Sequence, residues 1–490
     1  MSRLIKESGQ SSIIWGAGIS FLRDGLQMIF SILLARLISP NDFGVFALAS
    51  AIAAIINIFS FNSYVGYILN FDEEKQILWY RWFAFGLRLN LALLLVYVIG
   101  AYFLSINGQK ALALCLLVMS FALIFDVPGS LGLKYLEYHF KWKTFRLLTL
   151  LSTFFSLLVG SISALCGYKI LALALQPVCF SLVPASYYFL CHGLNSKFLY
   201  GSKNNKLERE ALKFGIAAIF SSLALRGRLS FESFLFSEYY GFAFMGSYVK
   251  SQTLGNMLSV KPAYLVSTSL YPVIAKCKGT DLYRKVASTV LGFYFFFTIP
   301  LGFILFNYGG KLVLLAYGDS WTEAAALAPV VSLVTILVGI LTLLSSLLAS
   351  SNRYVLRGRI DFCASFLFAG SLLLFIGKGV TAVLWSYLAT AVLITIVSLA
   401  FCIHARILNV CDISLFFVSA LGSLAISHAL YKLLTHAAGF HTTDLVSIPF
   451  LLLLYFASYR IFFSSPLSTL LSSLPYDHVF LRVFRLQIRR

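Results

Sequence analysis

Six basic side chains interrupt the apolar segments of this 490-residue sequence: Arg23, Arg88, Arg226, Arg228, Lys250 and Lys261. A seventh, Arg36, lies at the end of the first such segment. A charge at the centre of a bilayer costs at least ~2.5–3.5 kcal/mol, so residues of this kind face a bundle interior or a water-filled cavity. Arginine offers a planar fork to phosphate oxygens, and lysine acts as a point charge. The chemistry open to them is capture of an anion. Arg23, Arg226, Arg228, Lys250 and Lys261 are therefore candidate substrate-binding residues. Lys250 and Lys261 are spaced by three regular helical turns, which puts them on one face. A purely structural role is the alternative. Arg228 and Glu232 have the i, i+4 spacing of a helix ion pair, and Arg36 and Arg88 lie near enough to an interface to snorkel.

Four acids share the apolar segments: Asp24, Asp126, Glu232 and, close to a boundary, Asp361. Asp126 stands two residues before Pro128, where a freed backbone carbonyl and a kink can help form an ion site. Asp24, Asp126 and Glu232 are thus candidates for proton or sodium coupling, unless each simply neutralises an arginine. Other chemistries lack their residues. There is no HExxH, no CxxC pair and no Walker A sequence, so no zinc site, cofactor or ATP-binding loop can be argued. Most of the eight cysteines fall in apolar stretches, as packing residues do.

The elements that carry these residues are membrane helices. Hydrophobic residues make up 59% of the chain and charged residues 12%, about half the ~25% charge of soluble domains. Mean hydropathy is +0.87. Apolar runs near the ~20 residues needed to span a bilayer recur from end to end. They fall at 11–37, 43–69, 82–104, 111–133, 147–166, 170–191, 214–237, 243–270, 286–306, 324–349, 360–377, 380–403, 413–434 and 445–463, an all-α polytopic protein of fourteen spans. The runs are unbroken rather than alternating, which excludes an outer-membrane barrel.

The formal charge of +19 belongs to loops rather than to a basic nucleic-acid-binding domain. With the N-terminus in the cytoplasm, inner segments hold 26 basic residues and outer loops only Lys110, Lys169, Lys311, Lys378 and Lys432. The positive-inside rule then places both termini in the cytoplasm. A weak internal repeat appears at an offset of 202 residues, pairing Phe43-Gly44-Val45-Phe46 with Met245-Gly246-Ser247-Tyr248. At 203, Arg23 meets Arg226. Both halves start on the inner side, so the repeat is parallel, and such repeats face each other across a central cavity. The expected organisation is an N-terminal lobe (1–191), a cytoplasmic loop (192–213) and a C-terminal lobe (214–403). A terminal helix pair (404–463) and a basic cytoplasmic tail (464–490) follow. Phe480, Leu481, Phe484 and Ile488 oppose Arg482, Arg485 and Arg489 in that tail, a pattern suited to the anionic leaflet or to a disordered basic end.

The stretch Leu34-Ala35-Arg36-Leu37-Ile38-Ser39-Pro40-Asn41-Asp42-Phe43-Gly44-Val45-Phe46-Ala47 resembles the signature of bacterial polysaccharide transporters. These are the O-antigen and exopolysaccharide flippases of the multidrug/oligosaccharidyl-lipid/polysaccharide exporter superfamily. Met245-Gly246-Ser247-Tyr248, Tyr271-Pro272 and Tyr317-Gly318-Asp319-Ser320-Trp321 follow in the same order, so the resemblance covers roughly residues 5–405. It implies two six-helix lobes plus a terminal pair, alternating access to a cationic cavity, and a polyprenyl-diphosphate-linked oligosaccharide as cargo. Two positions depart from the family pattern. Glu232 stands where an Asp is common, and Asn352-Arg353 where a Gly-Arg pair is common.

Three functions are compatible with a chain of this kind. The first is a lipid-linked oligosaccharide flippase of the bacterial inner membrane, working with membrane lipids, with H+ or Na+, and with polysaccharide polymerase and export machinery. A second is an ion-coupled multidrug antiporter of the same superfamily, whose cationic drugs Arg23, Arg226, Lys250 and Lys261 would repel. The third is a membrane glycosyltransferase or polymerase. Its catalytic loop is hard to find, because the longest outer loop, near 307–323, offers only Asp319 and Glu323.

Overall fold

The computed structural model describes residues 2–70, 76–192, 205–267, 281–438 and 447–462. Among them there is no β-strand. The helices are α1 (Ser2–Leu37), α2 (Pro40–Ile56), α3 (Gln76–Ile106), α4 (Lys110–Ser120), α5 (Ala122–Tyr138), α6 (Trp142–Leu165) and α7 (Lys169–His192). They continue with α8 (Asn205–Gly255), α9 (Asp281–Tyr317), α10 (Thr322–Ser350), α11 (Tyr354–Phe375), α12 (Val380–His404), α13 (Val410–Ala438) and α14 (Ser447–Phe462). Eleven stretches among the described residues are long and apolar enough to cross a membrane, with α4 and α5 forming one of them. Ser447–Ile461 is a shorter apolar helix.

Helix α8 is the exception. At 51 residues it would reach on the order of 75 Å, more than twice the ~30 Å hydrocarbon core. Gly241 divides it, with φ 84° and ψ 170°, a conformation open to glycine and strained for other residues. The division falls between the expected spans 214–237 and 243–270. Arg226, Arg228, Glu232, Glu238 and Lys250 dilute its apolar character. Of the expected 192–213 loop, residues 205–213 are the first turns of α8 and most of the remainder lies outside the described residues. Tyr271-Pro272 and the tail at 464–490 also lie outside them.

The corner between α1 and α2 is written in its sequence. Ser39 caps α2, accepting from the Asp42 backbone N–H at 3.3 Å while its hydroxyl donates to Asp42 Oδ2 at 2.8 Å. Pro40 takes the first helical position, where no N–H is needed. The conformation of the turns repeats along the chain. Gly108, Phe140 and Gly167 have positive φ, and so do Gly318, Asn352 and Gly379, at offsets of 210 to 212 residues. At Phe140 the next N–H, that of Lys141, bonds Leu136 O at 2.8 Å. At Asn352 the Arg353 N–H bonds Leu348 O at 3.0 Å, the same Schellman closure. Asn352 thus does what a glycine would do there, since asparagine tolerates the left-handed region. The turn therefore keeps the left-handed conformation that the expected Gly-Arg pattern would supply.

The chain forms two compact units. One comprises Met1–Lys250, Ala316–Glu323 and Phe368–Gly370, and the other Ser251–Leu315, Ala324–Leu367 and Ser371–Arg490. In the first, Phe61, Trp82, Val127, Leu131 and Tyr188 form one core cluster, with the Tyr188 ring stacked on Phe83. Buried Asn90 accepts from the Phe61 N–H at 3.0 Å and donates to Leu123 O at 2.9 Å, so its burial leaves both ends of the amide bonded. In the second unit, Phe296 of α9 packs against Ala420 of α13 and Tyr455 and Tyr459 of α14. The Tyr455 hydroxyl donates to Phe296 O at 2.8 Å.

Candidate functional site

The signature residues of the first unit meet at one place. Trp321 Nε1 donates to Ala35 O at 2.8 Å, and its ring packs edge-on against Phe43 at 5.4 Å. Arg36 Nε donates to Ala316 O at 2.9 Å. The α1–α2 corner and the 316–323 segment are therefore tied by backbone acceptors. Arg36 is engaged as a structural donor. Two glycines bring backbones into contact here: a Cβ at Gly44 would fall on the Phe242 carbonyl, and a Cβ at Gly246 on the Pro40 carbonyl.

Lys250 lies in this cluster, 5% exposed. Its Nζ donates to Ser31 Oγ at 3.0 Å and to Ser31 O at 3.4 Å. The ammonium sits 4.0 Å from the Phe43 ring centroid and 5.4 Å from that of Tyr317. No carboxylate reaches it among the described residues, so the surrounding π faces and oxygens supply its stabilisation.

The remaining candidates are distributed. Arg23 pairs with its neighbour Asp24 at 3.5 Å, and the Arg23 Nε is buried without an acceptor. Arg226 is exposed on α8. Arg228 Nη1 lies 3.5 Å from Glu232 Oε2, and its guanidinium covers Phe368 at 4.7 Å. Buried Glu232 accepts from the Tyr248 hydroxyl at 2.6 Å. Lys261 is half-buried in the second unit. A π-turn at Asn256–Val260 separates it from Lys250, so the eleven-residue interval does not complete three regular α-turns. The expectation that the two lysines share a helix face is corrected on that ground.

Asp126 occupies a different setting. It lines a cavity of about 320 Å³ in the first unit, together with Asn57, Tyr97, Ser156, Gln176 and Ser181. Ser181 Oγ donates to Asp126 Oδ1. The Tyr97 hydroxyl lies 3.1 Å from Asn57 Oδ1 and 3.2 Å from Ala53 O. The Gln176 Nε2 is buried with no hydrogen-bond partner. One carboxylate among amide and hydroxyl oxygens can hold a proton or coordinate a small hard cation. No group of three His, Cys, Asp or Glu suited to a metal occurs among the described residues. Asp126 was legible from its place inside an apolar segment, two residues before Pro128. Asn57, Tyr97, Gln176 and Ser181 carry no sequence signal, because only tertiary packing brings these four separated positions together.

Residues 33–326 match the family described as polysaccharide biosynthesis protein, and the chain belongs to that family. The fold and its spans make it a multi-pass membrane protein with the architecture of known transporters and flippases. A structure of the lipid II flippase MurJ in an inward closed conformation superposes with a TM-score of 0.70 at 15% identity, covering 93% of this chain and 100% of that one. An inward-facing multidrug resistance MATE family transporter of the MOP superfamily gives 0.57 at 12% identity, over 78% and 95%. A MOP superfamily transporter from Pyrococcus furiosus, whose binding pocket is described as having reverse polarity, gives 0.52 at 14%, over 81% and 94%. No curated protein matches the sequence.

Proposed function

We propose that this protein flips a polyprenyl-diphosphate-linked oligosaccharide across the bacterial cytoplasmic membrane by alternating access, as a step in surface polysaccharide biosynthesis. The observation that carries the reading is membership of the polysaccharide biosynthesis family in a chain whose membrane-embedded charges are mainly cationic. A fold shared with a lipid II flippase supports a lipid-linked cargo. Both termini face the cytoplasm in this scheme. The N-terminal lobe (1–191) and C-terminal lobe (214–403) rock about a central cavity, and residues 404–463 add a terminal pair. The chain carries out no covalent chemistry.

Arg23 and Arg226, at equivalent places in the two halves, bind the diphosphate. Arg228, Lys250 and Lys261 add positive potential along the path. Asp126 is the coupling acid, because its cavity collects neutral oxygen groups and no basic side chain. Asp24 and Glu232 have arginine neighbours and serve first to balance them. Binding alone only redistributes conformers, so net direction comes from an H+ or Na+ gradient or from removal of the product by polymerase and export machinery. The test is reconstitution in proteoliposomes with a fluorescent polyprenyl-diphosphate oligosaccharide. Arg23→Ala and Arg226→Ala should each abolish flipping, and Arg→Lys should retain part of it, because charge survives without the bidentate fork. Full flipping in both alanine variants would reject these two residues as the diphosphate site, and no flipping by the parent protein would reject the cargo.

A further inference from the structure

Gly44 and Gly246 are equivalent at the 202-residue offset, and so are Pro40 and Phe242. Each glycine meets the other half's equivalent carbonyl: Gly44 faces Phe242 O, and Gly246 faces Pro40 O. The crossing is reciprocal, and a methyl at either glycine would fall on backbone. Small residues let helix backbones approach this closely. Lys250 lies four residues beyond Gly246, on the same helix face. Phe43, whose ring covers the Lys250 ammonium at 4.0 Å, immediately precedes Gly44. The crossing therefore sets the lid on the lysine. An ammonium excluded from water without a carboxylate is costly to maintain, and the same group is an anion receptor once uncovered.

We propose that Lys250 is an anion-binding group masked by the Gly44–Gly246 crossing, enclosed while the crossing is made and offered to a diphosphate when it parts. The proposal rests on the inclusion of Lys250 among the diphosphate-binding cations and adds the switch that controls its availability. Phe43 and Gly44 belong to one helical turn, so separation of the crossing carries the ring away from the ammonium. Ser31 stays behind as a hydroxyl partner for the lysine or its ligand.

The experiment is calorimetric titration of the purified full-length protein with inorganic pyrophosphate. The parent, Gly44→Ala and Gly246→Ala are compared with the same three carrying Lys250→Met. Gly100→Ala is the control, because a methyl there meets nothing within 4 Å. Apparent affinity scales with the fraction of binding-competent molecules, so a crossing that masks nine molecules in ten yields up to about a tenfold gain when it is disrupted. Both glycine variants should tighten pyrophosphate binding by similar factors, Lys250→Met should erase the gain, and the control should show none. Unchanged affinity in folded glycine variants overturns the proposal, as does a gain that survives Lys250→Met. Where a glycine variant does not fold, Phe43→Leu thins the lid without adding volume. Lys250-dependent tightening in it supports masking, and unchanged affinity overturns it. Farnesyl diphosphate, titrated in parallel, separates a lipid-borne diphosphate from a free one; a gain with either probe supports the masked site. Loss of flipping with this gain intact would sink the cargo assignment alone. Flipping with no gain would sink the mask alone.

Discussion

Replacing Arg228 by methionine separates a packing ion pair from an anion-binding cation. The Arg228 and Glu232 side chains are 15% and 6% exposed, and their charges lie 3.5 Å apart. Removing one member of a buried pair costs about 3–5 kcal/mol, mostly for the charge left behind. Glu232 keeps its 2.6 Å bond from Tyr248, which places the expected cost of Arg228→Met at the low end, roughly 3 kcal/mol. At about 2 °C per kcal/mol for a chain of this size, the midpoint of thermal unfolding in detergent should fall by roughly 6 °C. Arg228→Met with Glu232→Leu removes both charges and should recover to within about 1 kcal/mol of the parent, because apolar replacement of a whole buried pair is often neutral. Tyr248→Phe should cost ~1.5–3 kcal/mol, the range for a hydrogen bond to a charged group. The assay is a melting curve on each of the four proteins, followed by tryptophan fluorescence. A double variant no more stable than Arg228→Met would refute the coupling. An unshifted midpoint accompanied by lost flipping would show that Arg228 serves the cargo and that its pairing with Glu232 is incidental.

Asp126→Asn should preserve the cavity and the Ser181 contact yet abolish gradient-driven accumulation. Equilibration of the lipid without a gradient should continue, and an unaltered gradient response in flux measurements would exclude Asp126 as the coupling acid. Asn352→Gly should leave the melting midpoint unchanged or raised, whereas Asn352→Val should cost ~1–2 kcal/mol, because a β-branched residue is strained at the observed φ of 62°. Equal stability of the two would contradict the left-handed cap. Single cysteines at exposed Asn107 and Lys143, in a cysteine-free background, should label from outside and from inside respectively. The reverse pattern would invert the topology.

Much of the fold was legible because a membrane span announces itself by length and composition alone. The runs at 82–104, 147–166 and 380–403 correspond to α3, α6 and α12 with boundaries shifted by only a few residues. Helix α8 was legible for a different reason. It reads as two spans, 214–237 and 243–270, whose division falls at Gly241, while its start at Asn205 lies within the stretch expected as a loop. The left-handed turns at Phe140 and Arg406 were not legible, since neither residue type signals positive φ; the helices on either side impose it. Site residues divide along the same line. Arg228 and Glu232 are four apart on one helix, so local spacing foretold their pairing. The enclosure of Lys250 by Ser31, Phe43 and Tyr317 draws on positions up to 219 residues away from the lysine, and no local pattern encodes it.

The reciprocal glycine contact has a consequence for how such a chain can change over generations. In a parallel homodimer of a single six-helix unit, one glycine and one proline-position carbonyl would make both contacts, as in any isologous interface. A mutation there would be felt twice. Once two copies are joined in one polypeptide, the same contacts are held by separate codons at 44 and 246, and at 40 and 242. The contact itself meets only main chain at 40 and 242, so it places no demand on side chains there, and proline stands at one and phenylalanine at the other. The glycines are constrained, since each meets a neighbour's main chain. Held by separate codons, the contact therefore constrains the two glycines and leaves the side chains at the carbonyl positions outside its demands.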